Sequence, residues 1–267
     1  MTPNTRTNLD PTRTDPEPAR AADFSAAAPL GPPKLTAARL RQAQSDTLRA
    51  PRLRYDPASR LLFTVVDLLY GRRRSLVKFA MLELIARVPY QAWERVTYVM
   101  LTHVHRHGAL ARRVFDRVVE SRAQQDNEQW HLFIFDDLIA RAGLRRALVR
   151  HRVLPQLIAM VYYHLAWLLF VVKPAWSYRL NANFEDHAEH EYMLFVHEHP
   201  EFEDQDDPGT FAADYGRYAS VADLLRQIGH DERTHKHDSL RAARSPRLPP
   251  MPVPEAGGPA DRRGGRR

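Results

Sequence analysis

Apolar residues recur at helical spacing in six stretches between residues 57 and 241, and polar or helix-breaking residues divide them. The first, 57–70, is short and apolar, with Leu61, Leu62, Phe63, Val65, Val66, Leu68 and Leu69, and it stops at Gly71. The second, 75–103, is interrupted by Pro89, which predicts a kink. The third, 108–140, carries Val114, Val118, Leu132, Phe135 and Leu138; the fourth, 144–173, begins basic, turns apolar and ends at Pro174. The fifth runs over 176–199 and the sixth over 220–241, with an acidic Pro/Gly loop, 201–209, between them. Little supports any strand, so the expected fold class is all-α.

Acidic residues interrupt these apolar faces at regular places. Glu83 has apolar neighbours at i−4, i−3, i−1, i+2 and i+3, so its helix turns it inward, where a lone carboxylate is costly and needs a partner. Glu128 and His131 stand three residues apart and project from one helical face. Glu185 lies in the fifth segment, and a second Glu-x-x-His, Glu232 to His235, in the sixth. With 13 Glu and 13 His in the chain, chance yields roughly 0.6 such pairs, so a single pair is a solvated helix pair by default. The order decides otherwise: Glu, Glu-x-x-His, Glu, Glu-x-x-His, at intervals of one long helix plus a connection. Ferritin-like four-helix bundles that hold two iron or manganese ions draw their ligands in this way.

Composition separates the middle from the ends. Residues 1–52 are rich in Pro, Thr, Asp, Arg and Ala and poor in large apolar side chains, and are expected to form a disordered arm. Residues 244–267 repeat this as a loose basic tail, leaving 53–243 as the folded unit. The absence of cysteine excludes disulfides and thiolate metal sites. No apolar core of a secretory signal is found, and the acids Asp10, Asp15, Glu17 and Asp23 speak against an organelle transit peptide, so a bacterial cytoplasmic origin is expected.

The net charge of +7 calls for an anionic partner, and its placement chooses between two. Arg72, Arg73 and Arg74 follow the first apolar run; Arg145, Arg146, Arg150 and Arg152 precede the fourth. Basic clusters beside apolar segments suit a cytoplasmic lipid surface, and no groove-reading or base-stacking motif points to nucleic acid. The stretch 153–172 is free of charge and long enough to cross a bilayer. Crossing would put Glu83, Glu128 and His131 about 30 Å from Glu185, Glu232 and His235. The polar residues Gln156, Tyr162, Tyr163 and His164 also favour a helix lying half in protein and half in lipid.

These residues together resemble the alternative oxidases, membrane-bound di-iron quinol oxidases, over about residues 63–238. Leu82-Glu83 with Val88-Pro89 is similar to the family's Leu-Glu-Thr and Val-Pro-Gly, and Asn127-Glu128-Gln129-Trp130-His131-Leu132 to its Asn-Glu-Arg-Met-His-Leu. Phe184-Glu185-Asp186-His187-Ala188 stands for Leu-Glu-Glu-Glu-Ala, and Asp231-Glu232-Arg233-Thr234-His235 for Asp-Glu-Ala-x-His. Arg146-Ala147-Leu148-Val149, Lys173-Pro174 and Asp214-Tyr215-x-Arg217 fall in family order. The resemblance implies that Glu83, Glu128, His131, Glu185, Glu232 and His235 ligate two iron ions per chain and that Tyr192 is the redox-active tyrosine. It assigns Asn127, Asp231 and Tyr215 to hydrogen bonds that orient ligands, and Lys78, Leu82 and Ala188 to the quinone site.

The function this resemblance implies is that of a ubiquinol:oxygen oxidoreductase that reduces O2 to water without pumping protons. It would be a homodimer, lying monotopically on the cytoplasmic face of a bacterial inner membrane through two interfacial helices, with ubiquinol or a related quinol as reductant. The departures from the pattern fall on the reductant side: Lys78 for an arginine, His187 for a glutamate, Glu191 for a small polar residue and Gly216 for a tryptophan. Two other readings stay open on the residues, a membrane-associated di-iron hydroxylase or desaturase, and a non-enzymatic protein that spans the membrane through 153–172. The remaining histidines, His103, His105, His107, His187, His190, His197 and His199, read as solvated helix ends and faces.

Overall fold

The computed structural model describes residues 33–246. Eight α-helices account for most of them: α1 (Ala37–Arg49), α2 (Pro57–Tyr70), α3 (Leu76–Ala86), α4 (Val88–Val104), α5 (Gly108–Arg141), α6 (Leu154–Val172), α7 (Pro174–Glu198) and α8 (Val221–Arg244). No strand is present among the described residues. A π-helical turn (Val149–Val153) leads into α6, and a 3-10 turn (Pro200–Glu203) follows α7. The ends are set by local chemistry. Asp56, Ser75 and Ser220 accept backbone N–H groups at the starts of α2, α3 and α8, and Pro174 opens α7, where a missing N–H costs nothing.

The expected kink is a break. α3 and α4 are two helices joined through Arg87, with Pro89 in the first turn of α4. α3 is buried on every side from Lys78 to Ala86, so it runs through the middle of the molecule. The α3–α4 rod packs along α5, α7 packs along α8, and α6 lies against α4 and α7. The four rods that carry the acidic positions thus form the bundle, with Phe79, Leu132, Phe135, Leu138, Tyr192, Phe195 and Leu225 in its core.

α6 turns only part of itself inward. Pro155, Ala166 and Phe170 are buried, while Leu157, Met160, Val161, Leu165, Leu168 and Val172 are exposed. α2 likewise leaves Leu61, Val65 and Leu68 exposed.

The expectation of a disordered arm to residue 52 is corrected for its last part. α1 docks on α7 and α8, burying Leu40, Ala43, Gln44 and Thr47. Polar contacts hold it: Gln44 donates to the Met193 carbonyl at 2.9 Å and accepts from Arg226 at 2.8 Å, and Thr47 donates to Glu189 at 2.6 Å. The composition lacked apolar bulk because the helix is fastened by hydrogen bonds to polar partners on other helices. The rest of the arm, 1–32, and the tail from 247 lie outside the described residues.

α7 and α8 meet closely at Gly229. A Cβ there would stand 2.9 Å from Met193 Cε and 3.2 Å from Tyr192 Cβ. We therefore expect Gly229→Ala to overpack this contact and cost about 1–3 kcal/mol, read as a lowered urea midpoint with an unchanged slope.

Candidate metal centre

Each acidic position arrives on its own rod. Glu83 comes from α3, Glu128 and His131 from α5, Glu185 from α7, Glu232 and His235 from α8, and all six are buried. Two groups form. Glu83, Glu128, His131 and Glu232 offer ligand atoms within 4.8 Å of one another, and so do Glu128, Glu185, Glu232 and His235. Glu128 and Glu232 belong to both groups. Two carboxylates shared between two sets of donors is the arrangement of a pair of bridged cations.

The hydrogen-bond account of these atoms tests whether a metal fits. Glu83 Oε2, both oxygens of Glu128, Glu185 Oε2, both oxygens of Glu232, His131 Nδ1 and both ring nitrogens of His235 are buried and find no partner outside the cluster; they face only one another, His235 Nδ1 standing 2.7 Å from Glu128 Oε1 and His131 Nδ1 3.2 Å from Glu232 Oε1. Buried polar atoms are almost always partnered, so such a concentration facing one point calls for cations. The donors are hard oxygens with one imidazole for each group, a set that suits iron or manganese, and no thiolate competes.

Atoms that do not face the cluster are held from behind. His131 Nε2 donates to Asp231 Oδ2 at 3.3 Å, which leaves Nδ1 directed at Glu83, Glu128 and Glu232, 3.2–3.6 Å away. Asp231 is fixed by Tyr215 Oη at 2.7 Å, Gln227 at 2.6 Å and Asn127 at 3.3 Å. Tyr192, with 0% exposure, packs in a cluster of three rings with Phe79 and Phe135 and donates a short hydrogen bond to Glu83 Oε1. Tyr90 does the same for Glu185 Oε1 at 2.8 Å, with Asn181 bonded to both at 2.9 Å.

Tyr90, Asn181 and Gln227 are the parts that sequence reading missed. Their spacing from the ligands carries a signal only once the helix pairing is known, although Asn181 is one turn before Glu185 and Gln227 one turn before Asp231. Lys34 was missed for another reason, since it lies in the stretch expected to be disordered. Its ammonium stands 3.6 Å from Asp231 and 3.5 Å over the Tyr215 ring while its side chain is 37% exposed.

The charges of the metal-free cluster pull against one another. Burial, helped by the charge of Glu128, pushes Glu83 well above the usual carboxylate range; burial with Glu232 and Glu128 does the same to Glu185. For Glu128 burial is outweighed by hydrogen bonds from His131 and His235, which hold it below that range. Burial opposes the imidazolium of His235, but Glu128 and Glu232 outweigh it and raise the ring to about 10; Asp231 and the glutamates raise His131 likewise. Burial also opposes the Asp231 carboxylate, but the His131 bond and the Lys34 charge bring it down to about 2.

The positions assigned to quinone lie on α3 and α7. Leu82 and Ala188 are buried, and Lys78, also buried, pairs with Asp67 at 2.6 Å. Two of the departures are compensated in place. His187 stacks on Phe63 at 4.1 Å and faces Arg52 at 3.0 Å; burial lowers its ring to about 4, so it stays neutral and accepts from the guanidinium. Glu191 is clamped by Arg52 at 2.7 Å and Arg74 at 2.9 Å. Gly216 adopts a φ of 108°, a left-handed backbone that a tryptophan would strain. Of the histidines read as solvated, His103, His105, His107 and His197 are exposed and His187 and His199 half-buried, but His190 is buried. It bonds to the backbone carbonyls of Asp186 at 2.7 Å and Ala50 at 3.3 Å.

The comparison with protein families decides the affiliation. Residues 51–243 match the model of the family described as alternative oxidase. The chain belongs to the alternative oxidase family. It is 31% identical over 133 residues to an Arabidopsis thaliana protein named "Ubiquinol oxidase 4, chloroplastic/chromoplastic", a match covering 49% of this chain and 34% of that one. The match thus spans about a third of the length of that relative. No solved structure matches the chain.

Membership and the cluster together define a stability test for the metal-free protein. Glu83, Glu185, His131 and His235 have folded pKa values above their unfolded ones, so the stability they add at low pH is lost as pH rises towards about 10. Glu128 acts in the opposite sense, below the usual carboxylate range. We expect chelated protein to lose stability steadily between pH 6.5 and 10, while metal-loaded protein holds a flat profile there. Urea midpoints at intervals across that window check it.

Proposed function

We propose that this protein is a quinol:oxygen oxidoreductase that reduces O2 to water at a di-iron centre on a bilayer surface. The observation that carries the proposal is the pair of donor groups sharing Glu128 and Glu232, whose inward atoms face only one another. Glu83 and His131 would hold one iron and Glu185 and His235 the other, with Glu128 and Glu232 between them. Two irons there supply the electron storage that four-electron reduction of oxygen needs when each quinol delivers two.

The chain's own residues do the rest. Asp231 keeps His131 in the tautomer that offers Nδ1. Tyr192 rests its phenolic proton on Glu83, and its packing against Phe79 and Phe135 keeps water from the ring. This position lets it supply a proton and an electron to the centre. Lys78, Leu82 and Ala188 mark the proposed quinol site, next to Glu83 along α3 and to Glu185 along α7. The neutral His187 is an acceptor available there, in place of the family glutamate.

Membrane attachment through the exposed faces of α6 and α2 belongs to the same proposal, as do the bacterial inner-membrane location and the homodimer. Val149–Val172 is long and apolar enough to cross a bilayer. A crossing that placed α5 and α8 on opposite sides is incompatible with Glu128 and Glu232 sharing one cluster, so the spanning, non-enzymatic reading is set aside.

Membranes containing the protein should show quinol-dependent, cyanide-insensitive oxygen uptake, with about two irons per chain by metal analysis. Glu128→Ala should abolish both uptake and iron. A product carrying an oxygen atom from O2 would instead select a hydroxylase or desaturase. Tyr192→Phe keeps the packing and removes the hydroxyl; uptake should fall by about 10² or more with iron content unchanged.

A further inference from the structure

A second cavity lies away from the metal centre. A groove of about 800 Å³ opens where the start of α2, the last turn of α6 and the first half of α7 come together. Its volume falls within the about 300–1,000 Å³ of sites that bury a small organic ligand. Lys78, Leu82 and Ala188 do not line it, so it is separate from the proposed quinol site.

The lining is apolar within and cationic at the edge. Leu53, Leu169, Leu180 and Leu240 form the walls with Trp176, which is 58% exposed. Arg54 and Arg179 also line it, and neither makes a hydrogen bond or ion pair within the described residues. Lys173 stands 5.3 Å over the Trp176 ring and adds a third positive charge beside the opening. The acid in the groove, Asp56, is already committed: one oxygen takes the Ser59 N–H and the other the Asn183 amide at 3.0 Å.

Arg52, Arg74 and Arg226 are paired with carboxylates, whereas the groove holds two guanidiniums with no carboxylate partner among the described residues. A planar guanidinium matches phosphate oxygens in a bidentate manner, which a carboxylate-poor rim leaves free. The groove is also continuous with the apolar outer face of α6, since Leu169 and Trp176 join that face to its edge. Charge and shape therefore ask for one molecule with an anionic head and a hydrocarbon chain.

We propose that this groove binds a single anionic phospholipid, with an acyl chain along Leu53, Leu169, Leu180 and Leu240 and its phosphate on Arg54 and Arg179. The site would fix the start of α2 against α6 and α7 and so hold the two outward apolar faces in one orientation. It does not depend on the oxidase reading.

The test is lipid retention by the full-length, metal-loaded protein. After exchange into a neutral detergent, phosphatidylglycerol or phosphatidylcholine is titrated in and bound lipid is counted by native mass spectrometry. We expect one phosphatidylglycerol per chain to survive at concentrations where phosphatidylcholine does not. Arg54→Gln with Arg179→Gln should weaken retention roughly tenfold or more, the size of a lost charge-assisted contact. Arg72→Gln with Arg73→Gln removes the same charge elsewhere and should change little. Ala58→Trp, which fills the groove while keeping both arginines, should also abolish retention; an unaltered count in that variant would mean adsorption of the headgroup alone and overturn the proposal. Equal retention of both lipids, an effect of the Arg72/Arg73 pair as large as that of Arg54/Arg179, or a co-purified quinone displacing the lipid would overturn it too. Iron content and circular dichroism show that each variant is folded.

Discussion

Four carboxylates held inside one apolar bundle are the constraint on which the rest of the structure depends. Desolvating even one charge costs several kcal/mol, and like charges at these separations add to that cost. Without cations the cluster relieves itself only by protonation. Glu83 and Glu185 are driven up, and the two imidazoles are driven towards their charged forms. Cations held by Glu128 and Glu232 would remove both penalties together, so that metal binding and folding would share one free energy.

That constraint explains the aromatic and amide residues behind the ligands. A carboxylate that bridges ions must be prevented from turning back to a neighbouring N–H, and one that serves a single ion must have its other oxygen occupied. Tyr192 occupies Glu83 on one side and Tyr90 occupies Glu185 on the other. The two tyrosines come from α7 and α4, and the ligands they support are the glutamates the two groups do not share. Asp231 plays the corresponding part for His131, and Lys34 balances its charge from the chain's early segment. His235 has no such partner: its Nδ1 faces Glu128 at 2.7 Å, and its ring meets the Tyr90 edge in place of a carboxylate.

How much of this the sequence reveals depends on how local each signal is. α2, α5, α7 and α8 are legible because their apolar period is long and their ends carry Asp56, Ser220 and Pro174. The six ligands are legible because two Glu-x-x-His pairs and two single glutamates repeat at helix-length intervals. α1 is not, since Gln44 and Thr47 make it stable only in the presence of Met193, Glu189 and Arg226, about 140–180 residues away in the chain. His190 misleads for the same reason. Its neighbours in sequence are polar, yet α1 and its following linker cover that polar face.

The same principle separates the metal centre from its closest imitation. Asp186, Glu189 and His190 also bring three ligand-type side chains together within 4.8 Å, all buried. Their oxygens, however, are spoken for: Asp186 accepts from the Leu53 N–H at 2.9 Å, Tyr55 at 2.8 Å and Lys236 at 3.0 Å. Glu189 accepts from Thr47 at 2.6 Å, Arg233 at 2.8 Å and Lys236 at 2.5 Å. Protein cations already stand where a metal would, and they lower both carboxylates against the opposing effect of burial. Residue type and proximity are alike in the two clusters. What differs is whether lysine, arginine, hydroxyl or backbone donors are pointed at the acids, and the inward oxygens of Glu83, Glu128, Glu185 and Glu232 face only one another and the imidazoles of His131 and His235.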